Sequence, residues 1–110
     1  MEIKKEDIKD CEVVKILVEE NGQKIGRAFL YLIKNDLHDR PYGLLEDLFV
    51  EEEYRGKGVG KKIFEAVVEE AKSRNCYKLI SQSRYERQSV HEFYKRNDMT
   101  DYGKNFRINL

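Results

Sequence analysis

The chain has 110 residues, of which 40% are hydrophobic and 38% are charged. This length suits one domain, and we predict a single domain over residues 1–110. Basic and acidic residues both number 21, so no global charge attracts nucleic acid or an acidic membrane surface. No apolar run approaches the roughly 20 residues that span a bilayer, and the charged start lacks a secretory signal pattern. We therefore expect a cytoplasmic protein with neither nucleic-acid nor membrane partners.

The first third of the chain predicts a β-hairpin followed by a further strand. Val13–Glu20 and Lys24–Lys34 are rich in β-branched and aliphatic residues, and the Asn-Gly pair between them is a strong hairpin signal. Residues 35–43 include the only proline and predict a loop. Gly43–Glu51 predicts the third strand.

The hydrophobic period changes after the third strand. From Val59 onward, apolar residues recur at the spacing of a helix with one buried face, and this helix is predicted to end at Ser73–Asn75. The apolar positions are Ile63, Phe64, Val67, Val68 and Ala71. Tyr77–Ser83 then predicts a short strand, Gln88–Arg96 a second helix, and Met99–Leu110 one or two edge strands.

This order of elements predicts the fold class. A helical crossover between the third and fourth strands makes that pair parallel, whereas the earlier hairpin is antiparallel. We predict an α/β (α+β) fold with a compact mixed sheet. In it, antiparallel N-terminal strands are followed by strand, helix, strand, helix and strand.

Cysteine and histidine are too few and too scattered to predict a metal site. Cys11 and Cys76 stand far apart, and His38 and His91 are the only histidines. Their spacing matches no zinc motif and no redox motif. We expect two reduced thiols and no metal.

The strongest functional signal lies between the third strand and the first helix, in the run EYRGKGVGKK at residues 53–62. Its alternating glycines permit a tight turn that brings several N–H groups to one point. The start of the helix adds unsatisfied N–H groups and the positive end of the helix dipole. Formal positive charge comes from Arg55, Lys57, Lys61 and Lys62. The segment suits a pyrophosphate group.

Three phosphate-binding motifs compete for this segment. A P-loop requires glycine where Arg55 stands and serine or threonine where Lys62 stands, and a dinucleotide fingerprint requires glycine at Lys61. The third pattern is Arg/Gln-x-x-Gly-x-Gly/Ala after a strand that ends in valine and a few acidic residues. The third pattern fits throughout.

The run LEDLFV at Leu45–Val50, followed by YRGKGVG at Tyr54–Gly60, resembles the acetyl-CoA-binding core of the GNAT superfamily. Together with EFYKR at Glu92–Arg96, the first run is similar to the diamine (polyamine) acetyltransferase branch. The resemblance covers about residues 43–102. It implies an acyltransferase that uses acetyl-CoA as co-substrate and acetylates a primary amine by direct attack in a ternary complex. The acceptor would be a small amine or polyamine, or a protein lysine or N-terminus.

The resemblance also implies roles for individual residues. Tyr94 would protonate the departing CoA thiolate, and Glu46 would act as the base for the acceptor amine, directly or through water. Asp47 is a further candidate for acceptor binding. As strand neighbours, Glu46 and Asp47 are predicted to face opposite sides of the sheet, so at most one can enter a given pocket. The backbone that would pair with the pantetheine arm and polarise the thioester belongs to Leu48, Phe49 and Val50. The residues that would hold the pyrophosphate are Arg55, Gly56, Lys57, Gly58, Val59, Gly60 and Lys61.

Two features depart from the family pattern. Family members usually carry two helices before the first hairpin, whereas here only about ten residues precede the first strand. The acceptor site would then be open, or be completed by a partner chain as in a homodimer, or the protein would have no small-molecule acceptor at all. Arg87 stands where the family commonly has an asparagine that contacts pantetheine, and it is a further candidate for binding the cofactor. Asn97 stands near the usual glycine after the second helix, where asparagine can adopt the left-handed backbone.

Two other functions compete with catalysis. The same fold can serve as a non-catalytic module that binds CoA or acetyl-CoA and regulates a partner protein, and the missing helices favour this alternative. A nucleic-acid-binding domain is supported only by the basic patch at the glycine loop.

Overall fold

The computed structural model describes all 110 residues and contains four strands and two helices. The strands are β1 (Glu12–Glu20), β2 (Gln23–Ile33), β3 (Tyr42–Val50) and β4 (Leu79–Ser81), and the helices are α1 (Val59–Ser73) and α2 (Gln88–Arg96). A short 3-10 turn at Glu52–Tyr54 follows β3. The chain divides into two compact units, Met1–Ile80 and Ser81–Leu110. The single domain stays a prediction.

The strands form one mixed sheet in the order β1-β2-β3-β4. Strand β2 pairs antiparallel with both β1 and β3, and α1 provides the crossover from β3 to β4. The turn between β1 and β2 has positive φ at Asn21 (52°) and Gly22 (78°), as a two-residue hairpin turn with the matching twist requires. The predicted hairpin and mixed sheet are confirmed.

Helix α1 covers one face of the sheet and builds the core of the first unit. Alternate residues of β2 point to this face, and Ala28 and Leu30 are fully buried there. The buried residues of α1 are Ile63, Phe64, Val67 and Ala71, four of the five apolar positions predicted from the helical spacing. At Gly26, an added Cβ would lie 2.7 Å from the Ile63 Cδ1 atom, so glycine allows the helix to approach the strand closely.

The opposite face of the sheet is apolar but remains partly exposed. It carries the alternate residues of β1 and β2, among them Val13, Leu17 and Tyr31, whose exposed fractions are 53%, 41% and 40%. Phe29 and Ile33 on the same face are half-buried. This face therefore offers apolar surface that α1 does not cover.

The second unit is described by itself. Helix α2 has the predicted bounds, and after it Asn97 Nδ2 donates to the Phe93 carbonyl at 2.8 Å. The left-handed residue at this helix end is Asp98 (φ 68°) and not Asn97 (φ −103°), so the predicted position is wrong by one residue. Neither helix of the protein is both long and apolar enough to cross a membrane.

Two strand predictions are wrong. The fourth strand has three residues instead of the seven predicted, and the segment after α2 contains no strand. All residues from Asp101 to Leu110 are exposed, including Phe106 and Ile108. Alternation of apolar residues defines the two faces of a strand, but a strand also needs a neighbour for its N–H and C=O groups. The sheet contains only β1 to β4, and no strand pairs with this segment.

Candidate active site

The glycine loop turns the chain from the sheet into helix α1. Gly56 and Gly58 have φ of 76° and 82°, in the left-handed region that glycine adopts without steric cost. An added Cβ at either position would meet no atom within 4 Å. Backbone conformation, and not crowding, therefore explains why these positions need glycine.

The N-terminus of α1 presents unpaired backbone donors. Gly58 is the N-cap residue and no side chain caps the helix. The Lys62 amide donates to the Gly58 carbonyl at 3.2 Å, so the N–H groups of Val59, Gly60 and Lys61 precede the first intrahelical bond. No acidic residue lies in the first turn. These donors, the helix dipole and the nearby lysines make a site suited to an anion.

Arg55 joins the glycine loop to the end of β3. Its Nε donates to the Val50 carbonyl at 2.8 Å, and its guanidinium carbon lies 5.3 Å from the centre of the Phe49 ring. The Nε bond leaves the guanidinium's other N–H groups to reach further acceptors. Arg55 thus holds a positive charge between the strand end and the helix start.

A β-bulge interrupts β3 at the pair of acidic residues. Arg27 pairs with Phe49 and Phe29 pairs with Glu46, so Ala28 stands opposite two residues, Asp47 and Leu48. Asp47 has φ 54°, a left-handed conformation that aspartate tolerates better than most residues. The bulge breaks the alternation of side chains, and both Glu46 and Asp47 line one groove. The prediction that they face opposite sides of the sheet is therefore wrong.

Asp47 is held by an ion pair. Arg27 donates to its two carboxylate oxygens, from Nε at 2.7 Å and from Nη2 at 3.3 Å. These hydrogen bonds from Arg27 lower the pKa of the Asp47 carboxyl below its ordinary value, against a smaller desolvation effect. The Arg27 guanidinium also lies 4.6 Å from the Phe49 ring. Asp47 is thus an ionised residue that fixes the bulge.

The last part of β3 extends beyond its neighbour. Strand β4 has three residues beside the nine of β3, and the Gly43 amide near the start of β3 donates to the Lys78 carbonyl at 2.9 Å. Three residues that begin at this point do not reach Leu48–Val50. The sheet thus supplies no strand partner for the backbone of Leu48–Val50 on the β4 side.

A groove of about 550 Å³ lies on the partly exposed face of the sheet. Its apolar lining includes Val13, Phe29, Tyr31, Ile33 and Leu44. Its polar lining consists of three carboxylates, Glu12, Glu46 and Asp47, and the thiol of Cys11. The volume falls within the range of small-molecule sites.

The three carboxylates of the groove differ in their partners. Glu12 forms an ion pair with Arg74 at 2.9 Å, and Asp47 forms one with Arg27. Glu46 takes part in none of the ion pairs of the structure and is exposed. Glu46 is therefore the carboxylate of the groove that forms no ion pair, and the nearest lysine in its cross-strand row is Lys15, opposite Phe29.

The second unit holds the remaining predicted site residues. Tyr94 lies on α2 and is half-buried, and the Ser81 hydroxyl donates to its phenolic oxygen at 2.8 Å. Arg87 is the exposed N-cap residue of α2, and its carbonyl accepts from the amides of Val90 and His91. The chemistry of Tyr94 and Arg87 stays a prediction.

The structure contains no group of three or more His, Cys, Asp or Glu side chains placed to hold a metal ion. Both cysteines have free thiols, as expected, with Cys11 exposed and Cys76 half-buried. Burial raises the pKa of the Cys76 thiol.

The model of the acetyltransferase (GNAT) family matches residues 2–99. The chain belongs to the GNAT acetyltransferase family. The resemblance seen in the glycine run is thus confirmed, and the diamine branch stays a prediction.

Relatives of this GNAT protein include an enzyme of amino-sugar chemistry. Glucosamine 6-phosphate N-acetyltransferase from Arabidopsis thaliana is 33% identical over 73 residues, which are 64% of this chain and 49% of the relative. The chain therefore spans about half the length of that curated relative. A crystal structure of glucosamine-6-phosphate N-acetyltransferase from Arabidopsis thaliana has a TM-score of 0.78 at 27% identity, over 88% of this chain and 66% of that one.

A proposed acetyltransferase from Agrobacterium tumefaciens strain C58 has a TM-score of 0.84 at 27% identity. The match covers 89% of this chain and 69% of that chain. These similarities confirm the predicted α/β fold of the GNAT type.

Sequence reasoning missed three features of this site. The bulge at Asp47, the Arg27 ion pair that fixes it and the Ser81 hydrogen bond to Tyr94 were not predicted. The sequence Asp47-Leu48 within a strand does not by itself predict a bulge, although aspartate is one of the few residue types that accept positive φ. Arg27 and Ser81 act through long-range contacts, which a pattern of neighbouring residues does not contain.

Proposed function

We propose that this protein transfers an acetyl group from acetyl-CoA to a primary amine. One observation carries the proposal within the family. Along β3, the carboxylate of Glu46, which forms no ion pair, is followed by the bulge at Asp47 and by the open backbone edge of Leu48–Val50. The chain then continues through Arg55 to the start of α1, which no side chain caps. Acceptor, thioester and pyrophosphate would lie in that order along one strand and loop.

The residues present fit the pyrophosphate of acetyl-CoA. The loop and the first turn of α1 carry three amides that precede the first intrahelical bond and the basic residues Arg55, Lys57 and Lys61, and the first turn has no acidic residue. Bound acetyl-CoA supplies an acyl group activated as a thioester. The backbone of Leu48–Val50 would align its pantetheine arm, and N–H groups of this edge would stabilise charge on the carbonyl oxygen. Arg87 is proposed as a further contact.

Glu46 is proposed as the base for the acceptor. An alkyl ammonium has a pKa of about 10.4, and only its neutral form can attack. The Glu46 carboxylate attracts the ammonium group and helps remove its proton, most effectively through a water molecule. Asp47 contributes negative potential, but its Arg27 partner compensates its charge. Asp47 is therefore proposed to hold the bulge and not to bind the amine directly.

Tyr94 is proposed as the general acid. A phenol keeps its proton at neutral pH and can donate it to a developing thiolate. The hydrogen bond from Ser81 to the phenolic oxygen would stabilise the negative charge that remains there for a moment. Ser81 acts through Tyr94 and is a positioning residue.

We propose a small amine as the acceptor. The relative of 33% identity is named for acetylation of an amino sugar phosphate, which is a small amine. A protein amine is the alternative acceptor. We also propose that the protein works in the cytoplasm without nucleic acid or membrane partners, and that a homodimer could complete the open groove.

The proposal is tested by measuring CoA thiol released from acetyl-CoA with a panel of polyamines, amino sugars, arylalkylamines and lysine-bearing peptides. We expect release that depends on an added amine, together with the acetylated amine by mass spectrometry. Glu46→Gln should reduce this release strongly while leaving acetyl-CoA affinity unchanged. Acetyl-CoA binding without release for any amine would contradict the enzyme and support the regulatory module.

A further inference from the structure

The groove on the sheet face indicates the chemical class of the acceptor. Its lining contains six apolar residues and no lysine or arginine. Two of its three carboxylates are paired with arginines, and Glu46 is the one that pairs with none, while Lys15, opposite Phe29 on β1, lies outside the lining. Such a lining favours a ligand with one positive charge and an apolar body. It disfavours a ligand that carries a phosphate.

The register of the strands arranges these features in a line. Val13, Tyr31 and Leu44 pair across β1, β2 and β3 and form an apolar row. Glu46 lies two residues further along β3, opposite Phe29, or about 7 Å along the strand. A cation held at Glu46 therefore has the apolar row within reach on the side away from the glycine loop.

We infer that the acceptor of this protein is an amine with an apolar aryl or alkyl body and no anionic group. This inference rests on the proposed acetyl transfer. The ammonium group would lie at Glu46, beside the bulge of β3, while the body would lie on the apolar row. The bound amine nitrogen attacks the thioester carbonyl, the C–S bond breaks, the amine proton leaves through Glu46, and the thiolate takes a proton from Tyr94.

One lysine near the groove makes the competing class of acceptor testable. The Lys15 Nζ lies 5.4 Å from the centre of the Phe29 ring, although Lys15 is not part of the groove lining. A sugar phosphate like that named for the Arabidopsis relative would need this cation. Preference for glucosamine 6-phosphate, with loss of that preference in Lys15→Ala, would overturn the inference.

The thiol of Cys11 can report on ligand binding in the groove. Cys11 lines the groove and is exposed, whereas Cys76 is half-buried and reacts less readily. The protein saturated with CoA is treated with a thiol reagent, and modification of Cys11 is followed by peptide mass spectrometry. The probes are 2-phenylethylamine and glucosamine 6-phosphate at equal concentration. We expect 2-phenylethylamine to slow the modification of Cys11 and glucosamine 6-phosphate to leave it unchanged.

A pair of β1 variants localises the effect. Val13 and Leu17 point to the same face and are 53% and 41% exposed, but only Val13 lines the groove. Val13→Asp should weaken protection by 2-phenylethylamine, and raise its KM in turnover, by about tenfold, whereas Leu17→Asp should change neither. Equal effects of the two variants would contradict the position of the apolar body.

The outcomes separate this inference from the proposed function. Protection of Cys11 by 2-phenylethylamine without acetyl transfer would support the ligand class and contradict the enzyme. Turnover of other amines without protection by 2-phenylethylamine would support the enzyme and overturn the ligand class. Protection that rises with protein concentration, and not with the amine, would place a second copy of the chain in the groove and overturn the inference.

Discussion

Two side chains of the site have a hydrogen-bonding neighbour that is distant in the sequence. Tyr94 receives a hydrogen bond from Ser81, and Asp47 is held by Arg27. The family resemblance singled out Tyr94 and Asp47 as candidate site residues. Their neighbours were not predictable, because each contact joins residues at least 13 positions apart in the sequence.

Tyr94→Phe tests the acid directly. The variant keeps the aromatic ring and removes the proton, so kcat should fall by about 10²-fold. Acetyl-CoA affinity, measured by calorimetry, should stay unchanged because the glycine loop is untouched. Ser81→Ala should reduce kcat less, since it removes a hydrogen bond to the phenolic oxygen but leaves the Tyr94 proton in place. Unchanged turnover in Tyr94→Phe would contradict the assigned role.

Asp47→Asn tests the ion pair that fixes the bulge. Because the pKa of Asp47 is lowered in the folded protein, its stabilisation is present above the unfolded pKa and is lost as pH falls through the folded pKa. The wild type should therefore lose more free energy of unfolding than Asp47→Asn between pH 7 and pH 3. Urea unfolding at both pH values measures this. Equal losses of unfolding free energy in the two proteins would show that the ion pair between Arg27 and Asp47 contributes nothing to stability.

At the scale of elements, strand β3 and helix α1 carry most of the site. The bounds of β1, β2, β3, α1 and α2 followed from hydrophobic period and turn residues to within about two residues. The short β4 and the absence of a terminal strand did not, because pairing depends on a neighbour that the local pattern does not specify. The bulge was missed for the same reason, since it exists only relative to Ala28 on β2.

Gly58→Ala tests the start of α1 against a matched control. Both Gly58 and Gly22 have φ near 80° and open space around the missing Cβ. Alanine should cost about 1–2 kcal/mol of unfolding free energy at either position. Only Gly58→Ala should also weaken acetyl-CoA binding, because only Gly58 orients the amides at the start of α1. Equal acetyl-CoA affinities in the two variants would place the pyrophosphate elsewhere.

At the scale of the whole molecule, the protein has zero net charge but a strongly uneven local charge. Arg55, Lys57, Lys61 and Lys62 lie in or beside the glycine loop, while the groove holds carboxylates and apolar side chains. This separation suits two substrates of opposite charge, a CoA thioester and an ammonium group. The groove also contains a thiol, Cys11, which offers an alternative covalent route through an acetylated cysteine.

The most direct test of the account is a two-substrate initial-rate measurement with acetyl-CoA and an accepted amine, made on the wild type and on Cys11→Ser. Direct attack in a ternary complex predicts intersecting double-reciprocal lines, equal kcat in both proteins, and no acetylated protein when acetyl-CoA is added alone. Parallel lines, an acetyl group on Cys11 and loss of turnover in Cys11→Ser would contradict direct transfer to the amine.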